Sequence, residues 1–467
     1  MSPVFDAVVV GTGSGGKIAA IELARQGRSV LAVERGRFGG ECPYVACVPS
    51  KSLLLSAQAG LGWAEAVERR ERATAGRDDS GSRQSLVDEG VTVRRGTARL
   101  ARADLATDGL RVGITGPDGE GQVQARIVVL GTGSSAVRPP IKGLSAVPTW
   151  TSDEALSTPD RPDHLVVMGG GAVGCELAQA FARLGSQVVL IEVADGLLPG
   201  EPSWVGGLVA DALRTDSVDV RTSAQAERAE PLGTNAFRLV LADGAVIGGE
   251  RLLLAGGRSP NSGDLGLDEV HARVDDDGAV AIDARCHVLD HDGRPVPGLY
   301  AVGDLTAESS FTHSANYQAR VVAADALGRG YDADYVAVPR AVFVEPAVLC
   351  VGLTPDQAGE QGLQVRTARF DLADVDRATL VAGLGPAGPS GRVSGGVELV
   401  ADAGTGTLVG AACVGPDADG WAAQLALAIR ARLPLELLAD HLQAFLSWPQ
   451  AIHPPARELA MQLKMGE

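Results

Sequence analysis

Long apolar runs are missing from this 467-residue chain; none approaches the ~20 residues that span a bilayer. Met1 leads into the apolar stretch 8–10 without a charged leader or cleavage site, so the expected location is cytoplasmic. Positive charge is also short. Lys and Arg number 41 against 58 acidic residues, and a net charge of −17 is repelled by nucleic acid and by anionic membranes alike. Six cysteines are too few for a secreted disulfide scaffold, and Cys175, Cys286, Cys350 and Cys413 each stand alone in sequence. Cys42 and Cys47 do not. Lysine is confined to Lys17, Lys51, Lys142 and Lys464, so an ammonium at any of these positions stands out in a chain that otherwise uses arginine. What the chain has in excess is glycine. Its 60 residues are about twice the usual ~7% share and call for tight backbone turns in a folded protein.

The first forty residues read as a βαβ unit: a strand over residues 5–10, a glycine turn, a helix to about Gln26, and a strand over 29–34 that ends in Glu34. The pattern returns at 165–168, 169–174, 176–184 and 187–192, ending in Glu192. In Gly11-Thr-Gly13-Ser-Gly-Gly16 two glycines let the backbone bend and approach a pyrophosphate, the third lets helix and strand pack, and the helix start supplies amide donors. Gly169-Gly-Gly171-Ala-Val-Gly174 repeats this design. Glu34 and Glu192 fall where a carboxylate accepts from ribose hydroxyls. Val193, Ala194 and Asp195 follow Glu192 with no arginine nearby, so a 2′-phosphate is repelled and NADH is preferred over NADPH. Two dinucleotides are expected.

Residues 65–89 read as a solvated helical excursion, and segments 91–93 and 110–114 as a small antiparallel sheet. From about Pro339 the pattern changes to strands at 341–344, 396–400 and 408–414, with helices near 421–432 and 434–446. The fold class is α/β: two Rossmann-like dinucleotide-binding domains plus a C-terminal α+β domain. The boundaries are 1–150 and 268–337 for the first nucleotide domain, 151–267 for the second, and 338–467 for the last.

Gly39-Gly40-Glu41-Cys42-Pro43-Tyr44-Val45-Ala46-Cys47-Val-Pro49-Ser-Lys51 is the most informative stretch. Positions five apart in a regular helix have Cα atoms more than ~8 Å apart, too far for a disulfide. Pro43 biases Cys42 toward extended backbone and Pro49 suits a first helical turn, so the segment is irregular enough for the sulfurs to meet.

On this segment, together with Gly131-Thr132-Gly133-Ser, Leu254-Ala-Gly-Gly257-Arg258-Ser-Pro-Asn261, Gly298-Leu-Tyr-Ala-Val-Gly303-Asp304 and His453-Pro-Pro-Ala-Arg-Glu458, the whole chain resembles the flavoprotein disulfide reductases, the family of dihydrolipoyl dehydrogenase, glutathione reductase and mercuric reductase. The resemblance implies FAD at the first turn, NAD at the second, and hydride passing to or from a redox-active Cys42/Cys47 pair. Cys47 would lie nearer the flavin and Cys42 would exchange with a small disulfide or dithiol. It implies His453, oriented by Glu458, as acid and base for the partner chain's pair in a homodimer. Lys51 would sit beside the flavin, paired with Glu176. The cofactor contacts it implies are Gly11, Gly13, Gly16, Glu34, Gly40, Lys51, Ala98, Gly131, Thr132, Gly133 and Asp304, with Gly169, Gly171, Gly174, Glu176, Glu192, Gly257 and Arg258. No metal is implied. His313, at a similar helix start, reads as structural.

Four positions depart from the family pattern. Glu41, Tyr44 and Ala46 replace threonine, asparagine and glycine, and Pro455 replaces threonine. Glu41 is expected to add negative charge near the pyrophosphate, and Tyr44 to add bulk between the sulfurs. Ala172 replaces a tyrosine of glutathione reductase and leans toward the dihydrolipoyl dehydrogenase branch. Two other readings stand beside the leading one: a flavin-dependent NAD(P)H quinone reductase with a non-essential cysteine pair, and a scaffold subunit that keeps the fold without turnover.

Overall fold

The computed structural model describes residues 3–101, 109–382 and 393–465. They form two compact units, one of residues 1–49, 70–137 and 258–335, the other of residues 50–69, 138–257 and 336–467.

The first unit is built on one sheet. Strand Val4–Val10 pairs in parallel with Val30–Glu34 on one side and Gly119–Leu130 on the other. Pro295–Ala301 and Thr92–Arg95 extend it in parallel, and His287–Leu289 closes one edge antiparallel. These central strands are uninterrupted runs such as Ala7-Val8-Val9-Val10, because helices cover one face and a second layer the other. Helix Ser14–Arg25 packs on one face with Thr312–Ala326. Thr97–Ala101, Leu110–Gly116 and the first half of Gly119–Leu130 make an antiparallel excursion from the same sheet. The segment around residue 92 therefore differs from expectation: it belongs to the parallel sheet, with Leu31 opposite Thr92, and only the later strands are antiparallel. Alternation marks a half-buried strand but does not reveal the direction of its partner.

In the second unit, a five-stranded parallel sheet runs in the order Asp219–Arg221, Gln187–Ile191, His164–Met168, Arg251–Leu254, Thr149–Trp150. A three-stranded antiparallel sheet (Ala226–Leu232, Ala236–Leu241, Val246–Gly249) shares a core with it around Val166 and Phe237. Five antiparallel strands between Pro339 and Gly415 form the C-terminal sheet, followed by short helices and the helix His453–Met465. The C-terminal helical prediction is shortened, since helices end at Arg430 and Asp440 rather than running on to 446.

Thr149–Trp150 pairs in the second unit's sheet, while Arg258–Pro260 pairs with Ser134–Ala136 in the first. Contact places the second nucleotide sheet and the C-terminal sheet in one unit. Residues 65–89 are helical (Trp63–Ala73 and Ser80–Asp88), yet not wholly solvated. Arg70 is 1% exposed and pairs with Glu71, and Leu86 is fully buried.

Both glycine turns are limited by contact. A Cβ on Gly16 would lie 1.9 Å from the Gly11 carbonyl oxygen, and one on Gly174 would lie 1.8 Å from that of Gly169. Gly207, exposed within helix Ser203–Thr215, has nothing within 4 Å. Gly174→Ala is expected to cost about 1–3 kcal/mol through backbone displacement. Gly207→Ala should gain about 0.5–1 kcal/mol from helix propensity. Denaturant midpoints of the two variants should move in opposite directions.

Candidate active site

The two nucleotide turns are wired alike. Glu34 Oε2 accepts from the Thr12 N–H at 2.7 Å and the Thr12 hydroxyl at 2.9 Å, and its Oε1 accepts from Gly36 N–H at 2.7 Å. Glu192 Oε2 accepts from Gly170 N–H at 2.5 Å, and its Oε1 from Ala194 N–H at 2.8 Å. Each acid thus binds the second residue of its own glycine turn and the amide two residues beyond itself. Both are buried, so these amides hold the carboxylates in place while leaving lone pairs for further donors. The first glycine of each turn presses on the end of a neighbouring strand: a Cβ on Gly11 would meet the Gly131 oxygen, and one on Gly169 the Ala255 oxygen, each at 2.4 Å. By contrast, a Cβ on Gly13, Gly133, Gly171 or Gly257 would meet no atom within 4 Å. That open space beside two helix N-termini fits the diphosphates of dinucleotides.

The redox segment lies against the first turn. Gly39 and Gly40 have φ of +100° and +75°, and a Cβ on Gly40 would sit 2.6 Å from the Gly13 Cα. Gly39 N–H donates to the Thr12 carbonyl at 3.0 Å. A short helix Cys42–Val45 follows, breaks at Ala46 (φ −140°, ψ −99°), and restarts as Cys47–Gln58. The break brings the two thiols into hydrogen-bond contact; both cysteines are in the thiol form and half-buried. Cys47 Sγ also lies 3.6 Å from the hydroxyl of Thr312, the first residue of helix Thr312–Ala326. The Cys42 thiol is pushed well up from its ordinary value, first by its hydrogen bond with Cys47 and then by burial and the charge of Cys47, while the Thr312 hydroxyl pulls it down. Thr312 is a site residue the sequence reading passed over.

Two expectations about this segment change. Tyr44 does not stand between the sulfurs: it is 4% exposed and its hydroxyl hydrogen-bonds the Ser82 hydroxyl at 2.7 Å. Glu41 is not a lone negative charge. Its Oε2 is 2.6 Å from Arg258 Nη2, and Arg258 also donates through Nε to the Ser134 hydroxyl at 2.7 Å and through Nη2 to the Ser134 carbonyl at 2.7 Å. The Ser134 hydroxyl donates to Asp304 Oδ2 at 2.5 Å. Thr132 is fixed by Asn261, which accepts from its hydroxyl at 2.8 Å and donates to its carbonyl at 3.0 Å. The Ala98 side chain points away from the surface. Its side chain is 3% exposed in the core beneath the antiparallel excursion, because alternation along Thr97–Ala101 turns it inward.

In the second unit, Lys51 Nζ lies 2.6 Å from Glu176 Oε2 and 4.6 Å from the centroid of the Phe343 ring. Glu176 is buried in the helix of the second glycine turn, and its Oε1 accepts from Phe343 N–H at 2.9 Å. His453 and Glu458 are not joined. The His453 Nε2 lies against the His441 carbonyl oxygen, whereas Glu458 Oε1 accepts from Gln462 at 3.1 Å. The helix starts at His453, and five helical residues turn the chain through about 500°, which leaves the two side chains on different faces. Pro454 and Pro455 fall in the first turn of that helix, where a missing N–H costs nothing. His313 stacks on Phe311 with centroids 5.1 Å apart. Among the described residues no group of three or more His, Cys, Asp or Glu gathers as a metal site, and no helix is long and apolar enough to cross a membrane.

Two dinucleotide turns with a vicinal thiol pair against the first define a class: flavoproteins that relay electrons between a pyridine nucleotide and sulfur. Residues 5–324 match the model of the pyridine nucleotide-disulphide oxidoreductase family, and residues 338–456 match that family's dimerisation domain. The chain belongs to this family and is an FAD-dependent, NAD(P)H-linked disulfide oxidoreductase. It is 29% identical to the dihydrolipoyl dehydrogenase of Geobacillus stearothermophilus over 98% of this chain and 95% of that one. It is 33% identical to the mercuric reductase of Streptomyces lividans over 96% and 94%. Among solved structures, the HOCl-induced flavoprotein disulfide reductase RclA of Escherichia coli, as its Cu(II) complex, superposes with a TM-score of 0.86 at 26% identity, over 98% of this chain and 100% of that one.

Thr312 carries a direct prediction. A hydroxyl that hydrogen-bonds sulfur stabilises thiolate over thiol. Thr312→Val should raise the pH midpoint for iodoacetamide alkylation of the reduced pair, by about one unit, and Thr312→Ser should restore it. The check is a pH series of alkylation rates on dithiothreitol-reduced protein; an unchanged midpoint in the valine variant contradicts this role.

Proposed function

We propose that this enzyme moves reducing equivalents between NADH and a small disulfide or dithiol, with Cys42 as the exchanging sulfur, and that it works as a homodimer. The observation that carries the reading is the Cys42/Cys47 contact against the FAD turn, half-buried and held at the start of a helix. FAD, when bound at the first turn, supplies the carrier for two electrons between the nicotinamide and this pair.

The chain's own residues provide the rest. Cys42 as thiolate attacks one sulfur of the substrate; a mixed disulfide forms and the other substrate sulfur leaves as thiolate. His453, contributed by the second copy, protonates that leaving group. Cys47 then attacks Cys42, closing the internal disulfide and releasing the second substrate thiol. The Thr312 hydroxyl and the start of its helix favour negative charge on Cys47 during that step. Lys51, fixed by Glu176, places a positive charge one turn beyond Cys47 in the same helix. In the homodimer reading, contact with the second copy draws His453 away from the His441 carbonyl.

NADH preference is supported at Glu192. Arg221 lies on the neighbouring strand, with its backbone carbonyl bonded to Glu192 N–H, but its guanidinium is held by Asp219 at 2.7 Å. The loop after Glu192 offers a carboxylate and small residues where a 2′-phosphate needs a cation.

The test replaces Cys42 by serine. NADH-linked reduction of lipoamide should fall by at least about 100-fold, because no alternative sulfur exchanges with substrate. Menadione reduction, which needs only reduced flavin, should stay within about threefold of wild type. Persistent lipoamide turnover in C42S would remove Cys42 from the reaction.

A further inference from the structure

Glu41 stands immediately before the exchanging cysteine and immediately after Gly40, whose backbone is pressed against Gly13 of the FAD turn. A carboxylate there is next in sequence to the thiolate that Cys42 must become and one residue from the backbone pressed on the turn shaped to hold a diphosphate. Left alone it would repel both. It is not left alone. Arg258 reaches it at 2.6 Å from the strand Arg258–Pro260, and is itself anchored by both the hydroxyl and the carbonyl of Ser134. Arg258 Nε is also 3.9 Å from Asp304 Oδ2, so one guanidinium lies between two carboxylates.

We propose that Glu41 and Arg258 form a charge-compensated pair that keeps the FAD turn and the Cys42 sulfur free of an uncompensated negative charge, with Arg258 acting as a positioning residue. The proposal rests on the flavin site of the reading above but not on its disulfide substrate. Its physical content is coupling: Arg258 matters chiefly because Glu41 is there. An arginine that bound FAD only by its own contacts would matter equally with a neutral residue at 41. An ordinary surface ion pair would matter in neither case, and the half-exposed Glu41 alone argues for that weaker outcome. The anchoring of Arg258 on Ser134 and its closeness to Asp304 argue against it.

The experiment is a double-substitution cycle on holoenzyme, with Arg258→Leu, Glu41→Gln and the two combined. FAD release is followed by flavin fluorescence after dilution, and flavin occupancy by the absorbance ratio of the purified proteins. Arg258→Leu should release FAD at least about tenfold faster. Glu41→Gln alone should change release by less than about threefold, and added to Arg258→Leu should recover most of the loss. A second readout is alkylation of Cys42 in the reduced proteins at fixed pH: slowed in Arg258→Leu, restored in the double variant. A purely structural role would not move it in this pattern. If Arg258→Leu loses flavin-loaded protein equally with and without the Glu41→Gln change, whether through weak binding or misfolding, the proposal is overturned, as it is by no loss in either. If lipoamide proves not to be a substrate while the cycle shows coupling, the substrate assignment fails and the pair stands.

Discussion

Two sulfurs five residues apart can touch only where the helix carrying them is interrupted, and the rest of this active site is arranged around that interruption. Ala46 supplies it with a non-helical backbone at φ −140°, ψ −99°. On either side, the short helix Cys42–Val45 and the longer Cys47–Gln58 set the directions of the two thiols, and Pro43 and Pro49 each fall in a first turn where no amide is lost. The buried Tyr44, tied to Ser82, fixes the short helix from behind, so an aromatic that looks obstructive in sequence works as an anchor.

The second constraint is the duplicated acid and turn. Glu34 and Glu192 are often pictured only as ribose ligands, but each also holds its own glycine turn in register by accepting from the turn's backbone. Substituting either acid would free a buried amide of its own turn. The first glycines press on the adjacent strand ends and the last on the turn itself, which leaves only the middle glycine facing open space. One geometry serves two nucleotides because the chemistry of a diphosphate is the same at both.

Much of this was legible in the sequence, for physical reasons that can be named. The parallel strands are continuous apolar runs closed by a glycine turn and an acid, a pattern set by local backbone geometry and by burial on both faces. The pairing of Lys51 with Glu176 was readable through resemblance to a family with matching motifs, not through spacing, since 125 residues separate them. What stayed hidden depends on partners distant in sequence. Thr312 is one hydroxyl among many until the start of its helix is placed against Cys47. Arg258 and Glu41 are each ordinary charges until the strand pairing of Arg258–Pro260 with Ser134–Ala136 brings them together. The side chain of Ala98, which the strand's alternation turns into the core, leaves only its backbone to face a ligand.

His453 and Glu458 show what a single chain can and cannot preorganise. Here the His453 Nε2 rests on the carbonyl of His441 while Glu458 engages Gln462. The surrounding segment is unusually apolar for an exposed region: Leu442 is 89% exposed, Phe445 74% and Met465 80%. Such side chains on the part of the chain that matches the dimerisation domain, and on the helix that follows it, gain burial when a second copy covers them. The thiol pair, its threonine and the Glu41/Arg258 ion pair, by contrast, are assembled within the chain.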